Sequence, residues 1–138
     1  MLNNQPAGDL WHLQDNDAES QWFGKTFHFD FSYIHSEDMK LVVKDYVWQN
    51  WKTGNKTVYK LYNDLDRFKH FAEFAKHHAI YSFHELDNIK VDLFLSYLRT
   101  VVSPLTKKSL SYTTQKICLD SVKGIVAWCR MPTTSWAK

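Results

Sequence analysis

Breakers and cross-linkers are scarce in this chain. Four glycines, three prolines and two cysteines are spread over 138 residues. So few turn-formers argue against a β-sandwich or barrel, which needs a turn every few residues, and favour helices. Long apolar runs are also missing. None approaches the ~20 residues of a membrane span. The opening MLNNQPAGDL lacks both a basic start and an apolar stretch, so it does not read as a signal peptide. Cys118 and Cys129 fall on one expected helix, ~16 Å apart along its axis, which is too far to pair. A reduced, cytoplasmic setting is expected.

Catalytic signatures are absent in the same way. There is no glycine-rich phosphate loop, no GxSxG and no HExxH. The cysteines lack zinc-site spacing. His70, Glu73 and His77 share a helix face, but a solvated polar stripe accounts for them. No metal, cofactor or catalytic residue is expected.

What is present is apolar content of 44%, with aromatics at 16%. One domain of this length buries roughly two thirds of its unfolded surface. Charge is uneven. Residues 1–35 hold Lys25 against five acids, a net of −4, and residues 36–138 carry a net of +6. From Lys107 onward, six basic residues stand against Asp120 alone. A basic C-terminal third suits a polyanion partner.

Residues 1–35 read as an N-terminal arm. The stretch 1–25 is polar and acidic, with isolated Trp11 and Trp22, and reads as extended or poorly ordered. Phe27, Phe29 and Phe31 alternate as in a short strand. No partner strand is evident, so they are expected to staple the arm to a helical body. Four helices follow, at about 37–51, 57–78, 91–101 and 112–129. Ser36 and Ser111 or Thr113 serve as caps, and Pro132 is the final stop. In the first helix Leu41, Val42, Asp45, Trp48 and Gln49 mark the helical spacing. In the second, Val58, Leu61, Tyr62, Leu65, Phe68, Ala72 and Ala75 form a stripe, with Lys60, Asn63, Asp64, Arg67 and Lys69 opposite. Trp48, Trp51 and Trp128 are expected in packing. The fold class is all-α, a compact bundle of four to five helices.

The second to fourth helices carry a resemblance. The segment TVYKLYNDLDRFKHFAEFAKHHAIYSFHELDNIKVDLFLSYLR, followed by SLSYTTQKICLDSVKGIVAWC, resembles the SAM-like core-binding domain of tyrosine recombinases, the N-terminal module of phage integrases and related transposases. The matching residues are Thr57, Tyr62, Leu65, Phe68, Phe94, Leu95, Tyr97, Leu98, Arg99, Ser111, Thr114, Leu119, Val122, Lys123 and Trp128. The lead-in DLWHL, FDFSYI and VVKDYVW is similar to the transposon-encoded branch. The resemblance covers about residues 36–130 and is diffuse, a spacing of common residue types.

That resemblance implies a DNA-binding domain at 36–131, holding one side of a target duplex during integration and recombination. Residues 132–138 would begin a linker. The family's catalytic domain, with its tyrosine nucleophile, is absent here, so no strand cleavage by this chain is expected. The implied partners are double-stranded DNA and neighbouring recombinase protomers, with no membrane, in a bacterial cytoplasm. The implied contacts lie at two helix openings. Lys56, Thr57 and Lys60 flank the first. Lys107, Lys108, Ser111, Thr113, Thr114, Gln115, Lys116 and Lys123 flank the second. Lysines and hydroxyls would take phosphates, and Gln115 would read a base edge. The rival expectation is a helical protein-interaction module without nucleic acid. Converging basic residues favour the first and an exposed apolar patch the second.

Overall fold

A computed structural model describes residues 5–102 and 107–130. The expected linker at 132–138, the Pro132 stop and residues 103–106 of the basic loop lie outside the described residues. The element order is β1 (Leu10–Gln14), β2 (Thr26–Asp30), α1 (Glu37–Lys52), α2 (Val58–His77), a short 3-10 helix (Phe83–Glu85), α3 (Asn88–Thr100) and α4 (Tyr112–Cys129).

Each helix starts where a side-chain oxygen caps its free N–H groups. Ser36 accepts from the Met39 N–H, Thr57 from Lys60, Asp87 from Lys90 and Ser111 from Thr114. The Ser36 hydroxyl also donates to the Tyr81 carbonyl, which ties the start of α1 to the segment after α2. The third helix begins three residues earlier than its apolar spacing indicates, because Asp87 caps it.

The chain is mostly helical but not all-α. The expected arm is a hairpin. β1 pairs antiparallel with β2, with Trp11 opposite Phe29 and Leu13 opposite Phe27. The missing partner strand is LWHLQ. Both strands alternate exposed and buried, and the buried side chains are Trp11, Leu13, Phe27 and Phe29. The polar stretch between the strands is ordered by its own carboxylates. Buried Asp15 accepts from the Asp17 N–H at 2.9 Å and from the Ser20 hydroxyl at 2.7 Å. The Asp17 carboxylate accepts from the Glu19 N–H. These local turns give a polar sequence a defined path. Gly24, at φ 83°, supplies the left-handed residue that returns the chain to β2.

The ribbon's apolar face joins the helical core. Trp11 packs edge-on against Phe31 and Trp48, and Phe29 edge-on against Tyr62. Trp51 donates its indole N–H to the Gln14 carbonyl. The α2 stripe is buried, with Val58, Leu61, Leu65, Phe68, Ala72 and Ala75 at its heart; Tyr62 stands at its edge, 39% exposed. Two positions depart from the helical spacing. Leu41 points outward, 46% exposed, and Met39 and Val43 take the core face instead. Asp64, expected on the solvated side of α2, is buried.

The acidic start is neutralised internally. The Asp9 carboxylate accepts from Lys40 at 3.0 Å and Lys44 at 2.9 Å. The hydrogen bonds from Lys44 and Lys40 hold its pKa below the ordinary value. Burial works to lower the Lys40 pKa, but bonds to Asp9 and Glu37 outweigh it and hold it above the ordinary lysine value.

Trp11→Ala should cost ~3–5 kcal/mol, as for a large buried aromatic, measured by urea denaturation. Asp9→Asn should destabilise at neutral pH by removing the partner of a buried ammonium. A carboxylate with a depressed folded-state pKa contributes stability above its unfolded value and loses it as pH falls through the folded value. The gap between wild type and Asp9→Asn should therefore close in melting curves taken below about pH 4.

Candidate nucleic-acid interface

Of the two helix openings singled out in the sequence, that of α4 does not join that of α2, because Asp64 meets Ser121 and Arg67 lies near Cys118, an antiparallel packing of the two helices. Between them lies a groove of about 430 Å³, lined by Lys56, Lys60 and Arg67 on one side and Ile117, Asp120, Ser121 and Gly124 on the other. Gly124 leaves this wall low; a Cβ there would meet the Tyr46 hydroxyl at 3.9 Å.

The groove floor is a buried carboxylate held from three helices. Asp64 accepts from the Tyr46 hydroxyl of α1 at 3.0 Å and from Lys60 at 2.7 Å. The Ser121 hydroxyl of α4 stands at 3.4 Å. Burial, then the Asp64 charge, pushes the Tyr46 hydroxyl far above its ordinary pKa, so it stays a donor. Lys60 is therefore partly committed: its ammonium serves Asp64 as well as the groove.

The remaining candidates divide by what their side chains already do. Thr57 and Ser111 spend their oxygens on capping. The Ser111 hydroxyl also donates to Thr114 at 2.9 Å. Gln115, expected as the base reader, donates its amide to the Leu110 carbonyl at 3.0 Å and is half-buried. Thr113 and Lys116 are exposed on the first turns of α4. Lys107 and Lys108 are exposed on the loop before it. That loop is pinned by a bridge between Val102 and Ser109, and Lys107 turns through the left-handed region at φ 60°. Lys56 is half-buried and also lines a cavity of about 660 Å³ with Asp15, Asp17, Trp51 and Thr57. The opening of α2 thus faces acids from the hairpin loop, which sequence order did not reveal.

Lys123 stands apart from the α2 cluster. It lies on the rim of a second groove of about 460 Å³, between α3 and α4. Phe71, Leu86, Val91, Phe94, Leu119 and Val126 make this groove apolar, with Arg130 also at its edge. Nearby on α3, Ile89 is 71% and Leu93 46% exposed. The basic residues therefore converge in part, and an exposed apolar surface exists as well.

Trp48, Trp51 and Trp128 serve packing. Trp128 donates to Asp45 at 2.9 Å, and Trp48 lies against Trp51. His77 meets Glu73 at 3.1 Å; burial lowers the His70 pKa. Among the described residues no group of three or more His, Cys, Asp or Glu side chains is arranged around a metal position. Cys118 and Cys129 are buried thiols, and burial raises both pKa values. No helix among the described residues is long and apolar enough to cross a membrane. No protein-family model, curated protein or solved structure matches the chain.

The buried carboxylate should behave as a structural anchor. Asp64→Ala leaves the Tyr46 hydroxyl without its acceptor and should cost ~1–3 kcal/mol in urea denaturation. Lys60→Ala should also destabilise, because it strips the ammonium from a carboxylate that is itself buried.

Proposed function

We propose that this chain is a duplex-DNA-binding module of the core-binding type found in tyrosine recombinases, holding one side of a target during recombination. One observation carries the reading: Lys56, Lys60 and Arg67 of the α2 side share a groove with α4. Exposed Lys116 and Thr113 lie on the first turns of α4, and Lys107 and Lys108 on the loop leading into it. The caps at Ser111 and Thr57 each satisfy one N–H; other first-turn N–H groups remain for phosphate oxygens. In this reading the lysines supply affinity without sequence preference, and Thr113 adds a hydroxyl contact. Gln115 would have to leave the Leu110 carbonyl to read a base. Lys123 would contact the backbone further along, or a neighbouring protomer instead.

The α3–α4 groove favours a second reading. An apolar groove flanked by exposed Ile89 and Leu93 suits a protein partner. In the recombinase reading that partner is another protomer of the synapse, so the two surfaces serve one assembly.

The test is fluorescence anisotropy of a labelled generic duplex at ~50 and ~200 mM salt. With about four to six phosphates neutralised, log K should fall against log salt with a slope of about −4 to −5. Lys116→Glu and Lys56→Glu should each weaken binding and flatten that slope by about 1. Absence of binding at ~100 μM protein in low salt removes the DNA reading and leaves the protein-interaction module.

A further inference from the structure

The outward face of the ribbon carries a histidine pair that the DNA reading does not use. Its geometry follows from strand register. The Phe31 N–H donates to the Asp9 carbonyl, and the Asp15 N–H to the Lys25 carbonyl. Odd-numbered residues of β1 therefore occupy the hydrogen-bonded positions. His12 and His28, directly opposite, fall at a non-hydrogen-bonded pair, where facing side chains come closest. Both rings are exposed. Their centroids are 4.6 Å apart, their planes cross at 87°, and the two Nδ1 atoms stand 2.5 Å apart.

At that separation one Nδ1 carries a proton and the other a lone pair. Moving the shared proton to the Nε2 of its own ring frees both Nδ1 lone pairs, and rotation of the two rings then turns them onto one position. We propose that His12 and His28 form a two-imidazole site for a divalent transition ion of the Zn²⁺ or Ni²⁺ class. Metal–nitrogen bonds of about 2.0–2.1 Å place two neighbouring ligand nitrogens ~3 Å apart, so the pair opens by less than about 1 Å on binding. Side-chain rotation supplies that motion while the ladder holds the two backbones. Imidazole nitrogen selects such ions over Ca²⁺ and Mg²⁺, which take oxygen. Water completes the coordination. Asp30 lies two residues along the same face, its carboxylate accepting from the Ser32 N–H at 2.9 Å. This site differs from the helical His70, Glu73 and His77 set that the sequence draws attention to.

The experiment is a titration of the whole chain with NiCl₂ near neutral pH, followed by calorimetry and by paramagnetic broadening of backbone amide signals. The expected result is one ion per chain, with broadening centred on Leu10–Gln14 and Thr26–Asp30. His12→Ala and His28→Ala should each weaken binding at least about tenfold, since each removes a ligand outright. Both side chains are exposed, so unchanged melting curves verify the fold. His77→Ala removes the other paired imidazole and should leave binding unchanged. Absence of binding, affinity unaffected by either ribbon variant, or broadening centred on α2 would overturn the site and leave a hydrogen-bonded histidine pair only.

Discussion

Burial of one face of a two-stranded ribbon against the helices joins the two halves of the fold. A lone hairpin is marginal in water. Here Trp11, Leu13, Phe27 and Phe29 all point one way and are buried against the helical core. Burying large aromatics of this kind contributes on the order of 2 kcal/mol each. Ribbon and helices thus share one core. The consequence for charge is direct. Seating the ribbon brings Asp9 onto Lys40 and Lys44 of α1, so part of the chain's charge asymmetry closes on itself. From Lys107 to Arg130 five basic residues stand against Asp120, so part of the remaining basic excess lies on α4 and its flanks.

Helices were legible because capping and periodicity agree. Ser36, Thr57 and Ser111 stand where the apolar spacing begins, and the structure uses all three as caps. The start of α3 was less legible, because its first turn holds exposed Ile89 and no buried apolar residue. The ribbon was missed for two reasons. Alternation in LWHLQ is short and begins with exposed Leu10. The polar stretch after it resembles a disordered segment in composition, although Asp15, Asp17 and Ser20 fold it through local hydrogen bonds. The histidine pair lay beyond sequence reasoning, because only strand register brings His12 to His28.

The candidate site shows a general ambiguity of residue type. Serine, threonine and glutamine at a helix start suit phosphate contact, and the same groups suit capping. Here Ser111, Thr57 and Gln115 have intramolecular partners. Lysine is ambiguous in another way. Lys60 lies in the groove, yet a buried carboxylate within 2.7 Å draws on its charge. The buried Asp64 was hidden in the sequence because its spacing puts it on the polar side of α2, and only the approach of α1 and α4 covers it.

Helix α4 separates two surfaces of different chemistry. Ile117, Asp120, Ser121 and Gly124 line the basic groove with α2, and Leu119, Val122 and Val126 line the apolar groove with α3. On a helix these two sets lie on different flanks, because positions three and four apart stack while the sets are offset by about half a turn. An occupant of one groove therefore leaves the other open. In the proposed reading a duplex on the α2 side and a protein on the α3 side would be held at once, with α4 as the shared wall. Their coupling would run through the buried edge of α4, where Cys118, Val122, Ile125 and Cys129 pack into the core. Those four side chains are buried, so moving α4 toward either groove would require repacking them.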